Sequence, residues 1–167
     1  PIAPPAVRAL LVDLDGTLVD TAPANRAAYA RALAEVGVHV PPDALATRVD
    51  GRNWRQFLPE LLAEAGVRAD AAAIAARKAA LYAEAAGGTR PNAALVALLR
   101  ASRPALATAL VTTASARNAH AVLAAHALAP LFDVIVTGDD VAEHKPHPAA
   151  YRLAAARLGI DPAACVA

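Results

Sequence analysis

The chain has 167 residues, enough for one α/β domain or for a small core with an inserted subdomain. It is 57% hydrophobic but only 4% aromatic, so the core is expected to be built from Leu, Val and Ala. Lys+Arg 16 against Asp+Glu 15 leaves a net charge of +1, which argues against a nucleic-acid surface, and no apolar run approaches the roughly 20 residues of a membrane span. The amino end has no signal-peptide pattern. The single Cys165 excludes an internal disulfide and fits a reducing compartment, so a cytoplasmic protein is expected. A start at Pro1, with no methionine anywhere, suggests a trimmed amino end.

The first element is the apolar run Ala9 to Val12, which leads into Asp13-Leu14-Asp15-Gly16-Thr17-Leu18-Val19-Asp20. A continuous apolar run closed by a turn signal reads as a strand buried on both faces of a parallel sheet. Open α/β sheets place their ligands at the carboxyl ends of such strands. If the strand stays extended, Asp13 and Asp15 share a face. Two like charges held close then call for a cation, or for one acid to be protonated.

From Thr21 to Gly88 the pattern is helical, with no convincing strand. Pro23 suits a first turn, and Ala28, Tyr29, Ala32, Leu33 and Val36 recur at helical spacing before Gly37. Asp43 is expected to cap a short helix through Val49, followed by a turn at Asp50-Gly51. Asn53 then precedes the stripe Trp54, Phe57, Leu58, Leu61, Leu62, which Pro59 should kink or divide. Asp70 caps a further helix carrying Ile74, Leu81 and Tyr82.

After Gly88 helix and strand alternate. Asn92 leads a helix containing Leu95 to Leu99, and Ala107 to Val111 forms a second buried strand. Ser115 then caps a helix to about Ala127. Asp133 to Val136 is a third strand ending in Thr137-Gly138-Asp139-Asp140, Pro148 opens a helix with Tyr151, Leu153 and Leu158 that ends at Gly159, and Cys165-Val166-Ala167 begins a fourth strand. This order implies an α/β fold, a parallel sheet with right-handed crossovers and a helical insert. The domains read as residues 1–20 with 89–167, and 21–88.

Two further segments can carry chemistry. Thr112-Thr113-Ala114-Ser115 puts a hydroxyl at a strand end before a helix start, a place for phosphate or simply for a capped turn. Glu143-His144-Lys145-Pro146-His147-Pro148 holds one of only two lysines, against 14 arginines. A lysine in such a chain points to a need for a compact charge, or is an ordinary solvated loop residue. His144 and His147 lack the partners of a metal site and read as loop residues. Asp139 and Asp140 are expected to cap or solvate the loop before Lys145.

Asp13-Leu14-Asp15-Gly16-Thr17-Leu18-Val19-Asp20 resembles the first motif of the haloacid dehalogenase-like hydrolase superfamily, in its phosphatase and phosphomutase branch. The segment at Thr112 resembles the second motif, and Lys145-Pro146 the third. The resemblance implies a Rossmann-like core with a helical cap inserted after the first strand. It also implies Asp13 as nucleophile, Asp15 as general acid and base, Thr112 and the Thr113 N–H as phosphate ligands, and Lys145 as the residue that holds nucleophile and phosphate together. Mg²⁺ would be held by Asp13 and the Asp15 carbonyl. Dehalogenase relatives lack the second acid of the first motif, so Asp15 argues for phosphoryl chemistry. The family's fourth motif, with further metal-binding acids, is not reached by Ala167, so the core is expected to be truncated and its Mg²⁺ binding weak.

The implied substrate is a small phosphorylated metabolite, chosen by the cap, with Arg26 and Arg52 as candidates for an anionic group. Trp54 fits the core of the insert better than a substrate contact. A sugar-phosphate mutase of the β-phosphoglucomutase type is the alternative. Such mutases carry a histidine near the position of Asn25, and Pro23 is more phosphatase-like. A catalytically inactive fragment is the third reading.

Overall fold

The computed structural model describes residues 6–50, 52, 54–103, 105–143 and 145–167. The turn expected at Gly51, the helix start at Asn53 and the loop residue His144 lie outside the described residues. The chain divides into two compact units, one running to Asp20 and resuming over Arg90–Ala167, the other Thr21–Thr89.

In the first unit, β1 (Ala9–Val12) is followed by β2 (Val19–Asp20). After the other unit come β3 (Arg90–Pro91), β4 (Ala107–Val111), β5 (Val134–Val136) and β6 (Cys165–Val166). Four strands form one parallel sheet in the order β5-β4-β1-β6, with Ala9 opposite both Ala107 and Cys165. The central pair is largely apolar because both of its faces are covered: Ala9, Leu11, Ala109 and Val111 are buried on one face and Val12 and Leu110 on the other. Between the strands lie helices at Ala93–Ser102, Ala116–Ala125 and Ala149–Leu158. The last of these lays Ala150 and Ala154 against Ala9, Leu11, Val111 and Val136, a close approach that alanine permits. Asn92 and Ser115 cap as expected, taking the N–H groups of Leu95 (3.2 Å) and Asn118 (3.4 Å).

Two local expectations change here. The third strand starts at Val134, because the Asp133 carboxylate turns aside to accept the Thr108 N–H at 2.8 Å and an Arg103 N–H at 3.1 Å. The two-residue antiparallel ribbon of β2 and β3, pairing Val19 with Pro91, is too short to carry a periodic signal.

The second unit contains α1 (Ala22–Ala34), α2 (Ala46–Val49), α3 (Trp54–Glu64) and α4 (Ala71–Ala85), and no strand among the described residues. Its core joins Leu33, Leu45, Phe57, Leu58 and Leu81, all fully buried. Tyr29 meets Phe57 edge-on, with ring centroids 5.0 Å apart. Asp70 caps α4 through the Ala72 N–H at 2.8 Å. Asp43 is no cap: it lies inside a 3₁₀ turn, Pro42–Leu45, that precedes α2. Pro59 does not divide α3 although it falls at the middle of the helix, since four buried residues, Phe57, Leu58, Leu61 and Leu62, hold the packed face. Trp54 is only half-buried, with the Arg55 guanidinium 4.5 Å from its ring centre. No helix among the described residues is long and apolar enough to cross a membrane.

Candidate active site

β1 stops at Val12, one residue short of Asp13, so the acids do not sit on an extended strand. The chain turns instead. Leu14 is fully buried, its carbonyl accepts the N–H groups of Leu18 (3.1 Å) and Val19 (3.0 Å), and Gly16 takes φ +76°. That left-handed conformation is why a glycine follows the second acid. With Leu14 pinned inward, Asp15 reaches Thr112 at the carboxyl end of β4, and Asp13 reaches Lys145 in the segment that follows β5.

Asp13 meets Lys145, whose Nζ donates to Oδ1 at 2.8 Å. The same ammonium donates to the Val111 carbonyl at 2.7 Å and lies 5.0 Å from the centre of the Tyr151 ring. The lysine side chain is 19% exposed and the Asp13 side chain 36%, so a charge-assisted pair stands at the rim of the sheet, open on the carboxylate side. Two of the three ammonium donors are thereby used on protein acceptors. A cation does meet one of the two acids, Asp13, and it belongs to the chain itself.

Thr112 is buried at the end of β4. Its hydroxyl donates to Asp15 Oδ2 at 3.3 Å and accepts the Ala114 N–H at 3.0 Å. The start of the following helix is already engaged, the Ala116 N–H by Asp139 Oδ2 at 2.8 Å and the Asn118 N–H by Ser115. Among the described residues the exposed Thr113 keeps an N–H without an acceptor. The helix start is thus partly closed, while the loop before it keeps an unengaged donor.

Asp140 behaves as a cap. It accepts the Thr137 N–H (2.8 Å) and hydroxyl (2.7 Å) and an Arg157 N–H (2.7 Å). The Thr137 N–H, Arg157 and the Thr137 hydroxyl together pull its carboxyl from 3.8 down to about 2. His147 remains a loop residue, accepting the Ala149 N–H and facing Glu143 at 3.2 Å.

Asp13, Asp15, Thr112 and Lys145 thus come together, with Thr113 beside them. Arg26 and Arg52 belong to the other unit, where each is engaged locally, Arg26 with Asp50 at 3.6 Å and Arg52 with Glu60 at 3.0 Å. Tyr151 reads in the sequence as a core residue of its helix, and no local signal connects it to Lys145. As donors for a metal, the Asp13 carboxylate and the Asp15 carbonyl are hard oxygens suited in kind to Mg²⁺. No cluster of three His, Cys, Asp or Glu side chains able to hold an ion occurs among the described residues.

Comparison with known proteins finds a family model, haloacid dehalogenase-like hydrolase, that matches residues 7–167. The chain is 36% identical over 176 residues to protein CbbY of Cereibacter sphaeroides, covering 96% of this chain and 75% of that one. It is 30% identical over 159 residues to the fructose-1-phosphate phosphatase YqaB of Escherichia coli (strain K12), covering 94% and 83%. Among solved structures, CbbY from Rhodobacter sphaeroides in complex with phosphate superimposes with a TM-score of 0.76 at 28% identity, covering 96% of this chain and 76% of that one.

Proposed function

The chain belongs to the haloacid dehalogenase-like hydrolase family, in its phosphatase branch, and from that premise we propose that it is a phosphomonoesterase acting on a small sugar phosphate through an aspartyl-phosphate on Asp13. The observation that carries the reading is the Lys145 ammonium on Asp13 Oδ1, beside the Thr112 hydroxyl on Asp15. Lys145 holds Oδ1, which leaves Oδ2 to attack phosphorus in line while the ester P–O bond breaks. The leaving alkoxide takes the proton of the Asp15 carboxyl group. The Asp15 carboxylate then takes a proton from water as that water attacks phosphorus, and the bond to Asp13 breaks to release phosphate.

Thr112 has one hydroxyl proton, so it cannot serve Asp15 and a phosphoryl oxygen together. Substrate arrival would draw that proton from Asp15 to the phosphoryl group and free the acid for its role. Lys145 and the Thr113 N–H would bear on the equatorial oxygens as charge spreads over them. Mg²⁺, held by the Asp13 carboxylate and the Asp15 carbonyl, would supply charge neutralisation there when bound. The helical unit is assigned the part of a selecting cap. Its Arg26 and Arg52 would each exchange a carboxylate partner for an anionic group of the substrate.

The test is phosphate release from fructose 1-phosphate, the substrate in the name of the E. coli relative, beside phosphoglycolate and a generic aryl phosphate. Rapid acid quench and peptide mass spectrometry should find one added phosphoryl group on the peptide carrying Asp13. Phosphorylation of another residue, or full turnover by Asp13→Asn, overturns the mechanism. Return of the phosphoryl group to the sugar would make the protein a mutase.

A further inference from the structure

The turn between β5 and Lys145 touches the anion-binding loop at three points. A side chain at Gly138 would drive its first carbon into the Thr113 carbonyl oxygen and against the Ala114 carbonyl, so only glycine fits. The Gly138 N–H donates to the Ala114 carbonyl at 2.8 Å. One residue on, Asp139 Oδ2 accepts the Ala116 N–H at 2.8 Å. The turn is itself fixed from behind, because Asp140 ties Thr137 to Arg157, which also donates to the Ile135 carbonyl at 3.2 Å.

These contacts set the direction of the loop's peptide groups. In a trans peptide the C=O of one residue and the N–H of the next point opposite ways. With the Thr113 and Ala114 carbonyls turned toward Gly138, the N–H groups of Ala114 and Ser115 face away from it. The Ala114 N–H accordingly reaches Thr112 Oγ1. A loop free to turn over would present carbonyl oxygens to a phosphoryl group, and their negative ends would repel it. Asp139 adds a second effect: it takes the first helical N–H, one of the donors with which the helix terminus would compete for an anion.

We infer that the Thr137–Asp140 turn is a latch that presets the anion-binding loop, with Gly138 and Asp139 as positioning residues for phosphate. The inference rests on the phosphatase reading, since it assigns the loop an anion. Neither residue touches the reacting atoms. They act through the orientation of the 113–115 peptide groups.

Amide NMR of the ¹⁵N-labelled protein, titrated with inorganic phosphate with and without Mg²⁺, tests it. In the native protein the Thr113 and Ser115 amide signals should move on phosphate addition. Gly138→Ala should shift those two signals before any phosphate is present and weaken phosphate binding about tenfold, the loss of roughly one hydrogen bond to a charged group. Asp139→Ala should weaken it less and in the same direction, and Asp139→Asn, which keeps the acceptor oxygen, should restore it. Should Gly138→Ala not fold, the Asp139 pair carries the test. Native affinity in a folded Gly138→Ala, or in Asp139→Ala, overturns the latch while leaving the phosphatase reading in place. Absence of any phosphate response at Thr113 and Ser115 in the native protein, in both buffers, overturns the anion loop and the latch with it.

Discussion

The two units use polar side chains for different ends. In the sheet-bearing unit the polar contacts at the candidate site are long in sequence: Lys145 reaches Asp13 across 132 residues, and Thr112 reaches Asp15 across 97. In the helical unit the core is apolar, and the ion pairs sit outside it, as with the two-pronged Arg77–Glu35 pair (2.8 Å), whose partners are about half exposed, and Arg48–Glu64 at 2.7 Å. One unit holds charges in fixed positions, and the other is held by packing with charges as trim. Substitution of a polar residue should therefore cost activity in the first unit and, the substrate candidates Arg26 and Arg52 apart, little in the second, where apolar substitutions should cost stability.

Asp13→Asn is the strongest test of that contrast. The amide is isosteric but a poor nucleophile, so turnover should fall on the order of 10⁶-fold, the scale seen when a nucleophile is removed. The melting temperature should change little by comparison. Asp15→Asn should lower kcat by ~10²–10⁴-fold, the range of general acid–base catalysis, in steady-state assays. If either variant loses its fold instead, the acids are structural and the contrast fails.

Phe57→Ala probes the other side. Phe57 is fully buried against Tyr29, so truncation should cost about 3–5 kcal/mol in denaturant unfolding. The chemical step in whatever fraction stays folded should be spared. A drop in kcat to match Asp15→Asn at full folding would give the helical unit a direct part in chemistry.

Acid titration sharpens the comparison further. The Asp140 carboxyl is lowered to about 2 from 3.8, so its stabilisation is fully present above 3.8 and is lost as pH falls through about 2. The gap in melting temperature between the native protein and Asp140→Asn should stay constant from neutral pH to about 4 and close between there and pH 2. A gap that persists at pH 2 would mean that the cap works without its charge. Smallest of all should be Arg77→Gln. Its N–H groups hold the Glu35 carboxyl below its usual value, but both side chains are solvated, so thermal melts should show little change and turnover none.

Tertiary contacts overrode several local readings in particular places. Asp133 has the look of a strand residue until Thr108 and Arg103 claim its carboxylate. Pro59 breaks a helix in isolation, yet α3 runs through it because the buried face is worth more than one lost hydrogen bond. Gly138 reads as one more turn glycine, and only the Thr113 carbonyl above it explains the residue. Tyr151 packs on the sheet core as its helical spacing implies, while its ring also stands beside Lys145.

The sequence by itself determined the order of the four sheet strands and of the main helices, the caps at Asp70, Asn92 and Ser115, the glycine stop at Gly159, and the parallel α/β class. Periodicity, capping and backbone freedom act within a turn or two of chain, so they are written locally. The family membership was legible for the same reason, since Asp13 through Asp20 is one short string. The resemblance implied that Lys145 holds the nucleophile, but only the tertiary structure decided that its ammonium is shared with the Val111 carbonyl, that the first helical N–H after Thr113 goes to Asp139, and that Arg26 and Arg52 are paired within their own unit. Those facts depend on where crossovers return distant residues to one sheet edge, and hydrogen bonds of 2.7–2.8 Å such as those of Lys145 form only once packing has set that distance.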